Sequence, residues 1–288
     1  MKAHPIPLMM AAVLLLTSTA CGNSDQNQAN PHAGHQQNQP APAADGHTDH
    51  QHPNGEQNAQ VKAAWTFTPT NPQPQEKTTV QVQIQDKAGQ PIQQFDINHE
   101  YLMHLIAVSS DLSYFDHLHP TYKEDGQFEL TTAFPAGGDY KLIADFIPTG
   151  QAAMSKSVWV TVGGDAPAPT PLTPDENLTK VVDGKEVTLQ FNKDLQAGEE
   201  VELTFSFQDA QTKQPITNLE PYLGAAGHVV IISGDTEQYL HNHPTDEKST
   251  GPKASFMTAF PTSGLYKIWG QFQHQGNVFI VPYVVNVT

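Results

Sequence analysis

The sequence predicts an all-β protein of two tandem β-sandwich domains derived from an internal duplication. Three observations carry this: short segments alternate apolar and polar residues, turn residues separate them at regular spacing, and the second half repeats the first. Trp65-Thr-Phe67 and Val80-Gln-Val-Gln-Ile84 read as half-buried strands, because successive side chains on a strand point to opposite faces. Leu102 to Val108, Phe128 to Phe134, Tyr140 to Phe146 and Val158 to Val162 continue the series. Lys87-Ala-Gly89, Asp125-Gly126, Ala136-Gly-Gly138 and Pro148-Thr-Gly150 supply the turns between them. No helical 3.6-residue period appears.

The repeat is legible residue by residue. Val80 to Ile84 corresponds to Val201 to Phe205, and Pro91-Ile92 to Pro215-Ile216. His104-Leu-Ile-Ala-Val108 matches His228-Val-Val-Ile-Ile232, and His117-Leu-His119-Pro120 matches His241-Asn-His243-Pro244. Thr132-Ala-Phe134-Pro135 matches Thr258-Ala-Phe260-Pro261, with Tyr140 and Phe146 matching Tyr266 and Phe272. These aromatics recur at equal, even spacing and are expected in the core. Each copy is long enough for a core of its own. The boundaries follow: 1–20 signal peptide, 21–61 tether, 62–164 first domain, 165–174 Pro-rich linker, 175–288 second domain.

The N-terminal stretch directs the chain outward. Lys2, the apolar run Leu8 to Leu16 and Ser18-Thr19-Ala20 have the layout of a secretory signal, and the run is too short to span a bilayer. Cys21, the single cysteine, follows at the cleavage point and is the expected lipidation site of a bacterial lipoprotein. Ser18 departs from the Leu, Val or Ile usual at its position. The protein is therefore expected to be extracytoplasmic and anchored to the cell membrane by its N-terminal lipid. Residues 22 to about 60 are Gln-, Asn-, Ala- and Pro-rich, too poor in large apolar groups to offset ordering entropy, and read as a disordered tether. His32, His35, His47, His50 and His52 in that tether are expected to bind metal weakly.

Composition excludes several classes. The 288 residues carry 14 Lys+Arg against 30 Asp+Glu, a net charge of −16, and every one of the basic residues is lysine. Nucleic acid is not a partner of such a chain, and no guanidinium fork exists for carboxylate or phosphate. One cysteine makes no internal disulfide and no thiolate zinc site. No Gly-x-Ser-x-Gly elbow and no phosphate-cradling glycine loop is present, so no enzyme is expected.

The chemistry is concentrated in a pattern that both copies share, His-x12-His-x-His-Pro. His117 and His119 share one strand face, as do His241 and His243. A tight hairpin centred on Asp111-Leu112 would put His104 opposite His119, with His117 diagonal. A turn centred on Gly234-Asp235 would put His228 opposite His241, with His243 diagonal. Directly opposed Cβ atoms lie about 5 Å apart and diagonal ones about 7–8 Å. Three imidazoles at that spacing can converge on one divalent ion. His104, His117, His119, His228, His241 and His243 are thus the candidate metal ligands. Structural histidines, copied with the rest of the domain, are the competing reading. Imidazole without thiolate favours Cu(II), with Zn(II) the alternative. Asp116, Asp246, His274 or water are candidate fourth ligands. Met103 is assigned to the core, and His99 and Glu100, which lack repeat counterparts, to the surface.

His99-Glu-Tyr-Leu-Met-His104 through Asp116-His-Leu-His-Pro120 resembles extracytoplasmic bacterial proteins with YtkA-like and related immunoglobulin-like β-sandwich modules, some associated with copper or heavy-metal handling. The resemblance covers both repeats and implies two tandem immunoglobulin-like domains outside the cytoplasm. The expected function is a membrane-anchored metal buffer, scavenger or delivery factor, partnered by a metal transporter or another envelope protein. The alternative is an envelope protein–protein interaction module.

Overall fold

The computed structural model describes residues 60–288. The expected signal peptide and tether, with Cys21 and His32, His35, His47, His50 and His52, lie outside the described residues. The first repeat contains β1 (Val61–Thr68), β2 (Thr78–Asp86), β3 (Phe95–Asp96), β4 (Met103–Ser109), β5 (Phe115–Leu118), β6 (Thr121–Tyr122), β7 (Gln127–Thr132), β8 (Gly138–Pro148) and β9 (Met154–Val162). The second contains β10 (Thr179–Val182), β11 (Lys185–Phe191), β12 (Glu200–Asp209), β13 (His228–Ser233), β14 (Tyr239–Asn242), β15 (Lys253–Ala259), β16 (Gly264–His274) and β17 (Asn277–Val287). Among the described residues no helix is long and apolar enough to cross a membrane.

Each repeat makes two antiparallel sheets. In the first, β1-β2-β7-β6 faces a sheet in which β5, β4 and β8 are neighbours and β3 and β9 share the outer edge of β8. In the second, β10-β11-β12-β15 faces β14-β13-β16-β17. This strand order is that of an immunoglobulin-like sandwich, and the chain is all-β in two repeated domains. The alternation seen in the sequence explains the outer sheets: in β2, Val80, Val82 and Ile84 are buried while the intervening glutamines are half-buried. Phe134 packs on Tyr140 and Phe260 on Tyr266, ring centroids 4.9 Å apart in both. Tyr140 donates to the Ala136 carbonyl and Tyr266 to that of Thr262, pinning the start of β8 and of β16 alike, as a tyrosine corner does.

Two cores result, one around Ile84, Leu105, Phe128 and Phe146, the other around Phe205, Phe256, Phe272 and Tyr283. A third apolar cluster belongs to both domains. It joins Ile106, Val108, Leu112 and Ile143 to Val230, Ile232, Tyr239 and Trp269. β4 and β13 are therefore buried on both faces, which is why their sequences run apolar without alternation. Both sandwiches lie in one compact unit, with the β4–β8 sheet packed against the β13–β16 sheet.

The contact is reciprocal. Lys141 Nζ donates to the Thr236 carbonyl at 2.6 Å, and its counterpart Lys267 donates to the Leu112 carbonyl at 2.7 Å. Phe115 stacks on Trp269 at 4.7 Å. The linker is drawn into this contact and is not a free spacer: Thr170 N–H donates to Asp111 Oδ2 at 2.9 Å, and Leu172 packs on the shared cluster.

Candidate functional site

β4 and β5 pair Leu105 with Leu118 and Ile106 with His117, which sets His104 opposite His119 as the sequence indicated. The turn is a four-residue loop, since Ser109 N–H donates to the Tyr114 carbonyl. Asp111 organises it, its Oδ1 accepting from the Ser109 and Ser113 hydroxyls at 2.6 and 2.7 Å. In the second domain Val229 pairs with Asn242 and Val230 with His241, so His228 opposes His243, not His241. That corrects the expected register, and the reason is local. Asp235 repeats the Asp111 role, accepting from the Ser233 hydroxyl and the Glu237 N–H, so this loop is also four residues long.

With one register in both copies, all six histidines project from the sheet faces that pack together. The two triads consequently meet. Ring centroids within a triad lie 4.8 to 5.4 Å apart. Across the boundary His104 is 5.1 Å and His117 5.5 Å from His241, and His117 is 6.1 Å from His228. Separations between domains are therefore close to those within one.

Hydrogen bonds orient the rings. The Asn98 carbonyl can only accept, so His104 Nε2–H donates to it at 2.8 Å and leaves the Nδ1 lone pair facing inward. That nitrogen is 2.9 Å from His117 Nε2, while His117 Nδ1 lies 3.0 Å from Gln271 Oε1 in the other domain. In the mirror arrangement His241 Nδ1 is 3.0 Å from Asp145 Oδ2, and His241 Nε2 is 3.2 Å from His228 Nδ1. Asp145 also accepts from the Tyr239 hydroxyl at 3.1 Å. His119 Nε2 is buried and has no hydrogen-bond partner among the described residues.

Burial favours the neutral form of His104, His117, His119 and His228. Burial, then the nearby His241, pushes His104 down to about 3 and His119 down to about 4. Burial, again followed by His241, drives His117 and His228 well below the ordinary value. Burial alone would raise the Asp145 carboxyl, but the hydrogen bond and charge of His241 hold it below its usual range.

Among the described residues, geometry singles out two groups whose donor atoms all lie within 4.8 Å of one another: His104, His117 and His119, and His99, His228 and His243. His99 is thus no remote surface residue. Asn98 and Tyr101 exchange backbone hydrogen bonds around a two-residue turn in which His99 and Glu100 both have positive φ, 43° and 73°. The turn reaches the second domain and stacks His99 on His243, centroids 3.5 Å apart. Tyr101 stacks on His119 at 3.9 Å.

The proposed fourth ligands are not among these groups. Asp116 accepts from the Tyr114 hydroxyl and the His117 N–H, Asp246 is exposed and caps Lys248 N–H, and His274 pairs with Asn218 at 3.1 Å. Met103 is in the first core, as expected. Sequence reasoning missed Asp145, Gln271 and His99. Asp145 stands opposite His104 and Gln271 opposite His228. Two polar residues interrupting apolar strands at matched repeat positions were the available signal.

Both halves match the family described as a domain of unknown function, DUF8832, over residues 58–164 and 180–288, and the chain belongs to that family. No curated protein matches the sequence. Solved structures include FdeC, an Escherichia coli adhesin, at 18% identity over 80% of this chain and 64% of that one, TM-score 0.26. InvD of Yersinia pseudotuberculosis is 15% identical over 78% of this chain and 57% of its own, TM-score 0.27. A two-domain fibronectin type III segment of chicken tenascin is 10% identical over 78% and 98%, TM-score 0.24. The chain spans less than two thirds of the length of the FdeC and InvD structures, and TM-scores this low support no statement about ligand or partner.

Proposed function

We propose that the histidine cluster binds a divalent transition metal, Cu(II) in preference to Zn(II), in a protein held outside the cytoplasm by lipid on Cys21. It would serve as an envelope metal buffer, scavenger or delivery factor. The observation that carries this reading is the convergence of buried imidazoles at the domain boundary, with His104, His117 and His241 each held through one ring nitrogen while the other faces a neighbouring ring. His104 Nδ1 opposite His117 Nε2 illustrates it: with Gln271 presenting its oxygen, two lone pairs meet at 2.9 Å, an arrangement a cation relieves. A carbonyl or carboxylate behind a ligating imidazole is the usual outer support of a metal site, and an all-nitrogen donor set suits Cu(II) and Zn(II).

A second reading has its own observation. His117 to Gln271 and His241 to Asp145 join the domains. With the Gln271 amide turned over, its NH2 donates to His117, which then donates to His104. The histidines are in that case interdomain pins of an interaction module. Titration of Cu(II) and Zn(II) into the chain with all five tether histidines changed to Gln separates the two. Metal binding predicts chelator-reversible uptake and a raised Tm, because the ion binds only the folded cluster. No uptake and no shift in Tm would establish the pins.

A further inference from the structure

Resting on the metal-binding reading, we infer that the two donor groups form one two-metal centre astride the domain boundary, with His99 a ligand supplied by the first domain to an ion held by the second. One ion takes His104, His117 and His119, and the other takes His228, His243 and His99.

Three features point there. First, each group reaches donor spacing as the chain folds, and only the second needs a residue from both domains. His99 is 5.2 Å from His228 and 3.5 Å from His243 between ring centroids. Its stacking on His243, 26° from parallel, changes to shared ligation by rotation about χ2, a soft torsion for histidine. Second, the groups lie close together, with one further imidazole between them. His104 and His117 of the first group lie 6.2 and 6.1 Å from His228 of the second, ring to ring, and His241 stands between them at 5.1 to 5.5 Å from all three. Third, support for each side comes from the other domain. Gln271 of the second domain holds His117, and Asp145 of the first holds His241, which bears on His228. Asp145, itself buried and paired opposite His104, also accepts from the Tyr239 hydroxyl, so a carboxylate of the first domain is set against the second.

The turn that carries His99 explains why one domain supplies the extra ligand. Its repeat counterpart, Leu223-Gly224, has the same positive φ at both positions, 54° and 76°, but offers no donor. The turn therefore does not require histidine for its shape, and a replacement tolerant of positive φ keeps it.

Cu(II) is the probe, added to the full chain with His32, His35, His47, His50 and His52 changed to Gln. Two equivalents are expected, with loss of electron paramagnetic resonance intensity and a half-field transition as the second ion enters beside the first. His99→Asn should lose one equivalent and the half-field signal while keeping the other equivalent and the unchanged circular dichroism of a folded chain. His99→Leu, which copies the second repeat, should do the same. One equivalent only, two uncoupled ions at full intensity, or two equivalents surviving both His99 variants would overturn the two-metal centre and leave metal binding standing. Absence of any bound Cu(II) in the tether-substituted chain would remove metal binding itself, and the centre with it.

Discussion

The two domains answer the same packing problem with different residues, and the differences gather in two places. In the core, Phe205 and Gly270 of the second domain stand where the first has Ile84 and Ala144. A Cβ on Gly270 would lie 2.7 Å from the Phe205 ring and 2.8 Å from that of Phe272, so the larger aromatic is accommodated only by removing the methyl facing it. Volume is exchanged within a fixed frame. At the boundary, Asp145 answers to Gln271, His99 to Leu223, Tyr101 to Ala225 and Ile143 to Trp269. Here the exchange alters charge and donor number, not volume alone. Core differences leave the fold as it was, whereas boundary differences give the two histidine groups unequal surroundings.

The largest expected effect is acid lability of the metal-free protein. Burial pushes His104 down to about 3 and His119 down to about 4, and lowers His117 and His228 as well. In the unfolded chain each takes up a proton near pH ~6.5. Below that value the unfolded state binds more protons, so stability falls as pH drops from about 6.5 toward about 4 and is independent of these groups above it. The slope is about 1.4 kcal/mol per pH unit for each histidine that stays neutral in the fold. Chelator-treated protein unfolded in urea across that range should show it; a flat profile would mean that the rings are not buried neutral.

Trp269→Ala comes next, at about 3–5 kcal/mol, since it empties the aromatic side of the shared cluster. Its repeat counterpart Ile143→Ala should cost less, about 2–5 kcal/mol. Equal small effects in urea titrations would show that the domains are not packed through this face. Asp145→Asn should destabilise by about 1.5–3 kcal/mol, the range for a hydrogen bond to a charged group. Gln271→Asn, which shortens the neutral counterpart, should cost less. The same urea titrations decide it. Gly270→Ala should cost about 1–3 kcal/mol through overpacking, and the double variant Phe205→Ile, Gly270→Ala, which copies the first domain, should recover part of the loss.

Much of this was legible in the sequence. The strands, the duplication and the cores follow from alternation and spacing, and the register of the first hairpin follows from its turn. The register of the second was misread because Gly234 looked like a turn centre, whereas a carboxylate two residues beyond the strand's last serine sets the loop in both copies. The meeting of the triads was not read, although the unbroken apolar runs Leu105 to Val108 and Val229 to Ile232 signal strands covered on both faces. Alternation reports which side of a sheet is covered. It does not report by what, so the partner face, and with it Asp145, Gln271 and His99, waited on the three-dimensional arrangement.

The reciprocal contacts have a further consequence. Lys141 reaches Thr236 while Lys267 reaches Leu112, and His117 meets Gln271 while His241 meets Asp145. Matching of this kind is what two identical chains form about a two-fold axis, where every residue must serve in both halves at once. Tandem fusion lifts that obligation. An aspartate can be placed on one side without a second aspartate facing it, and a histidine can be gained by one turn alone. A homodimer of single repeats would carry both copies of each or neither, so the inequality of the two groups is available only to the joined chain.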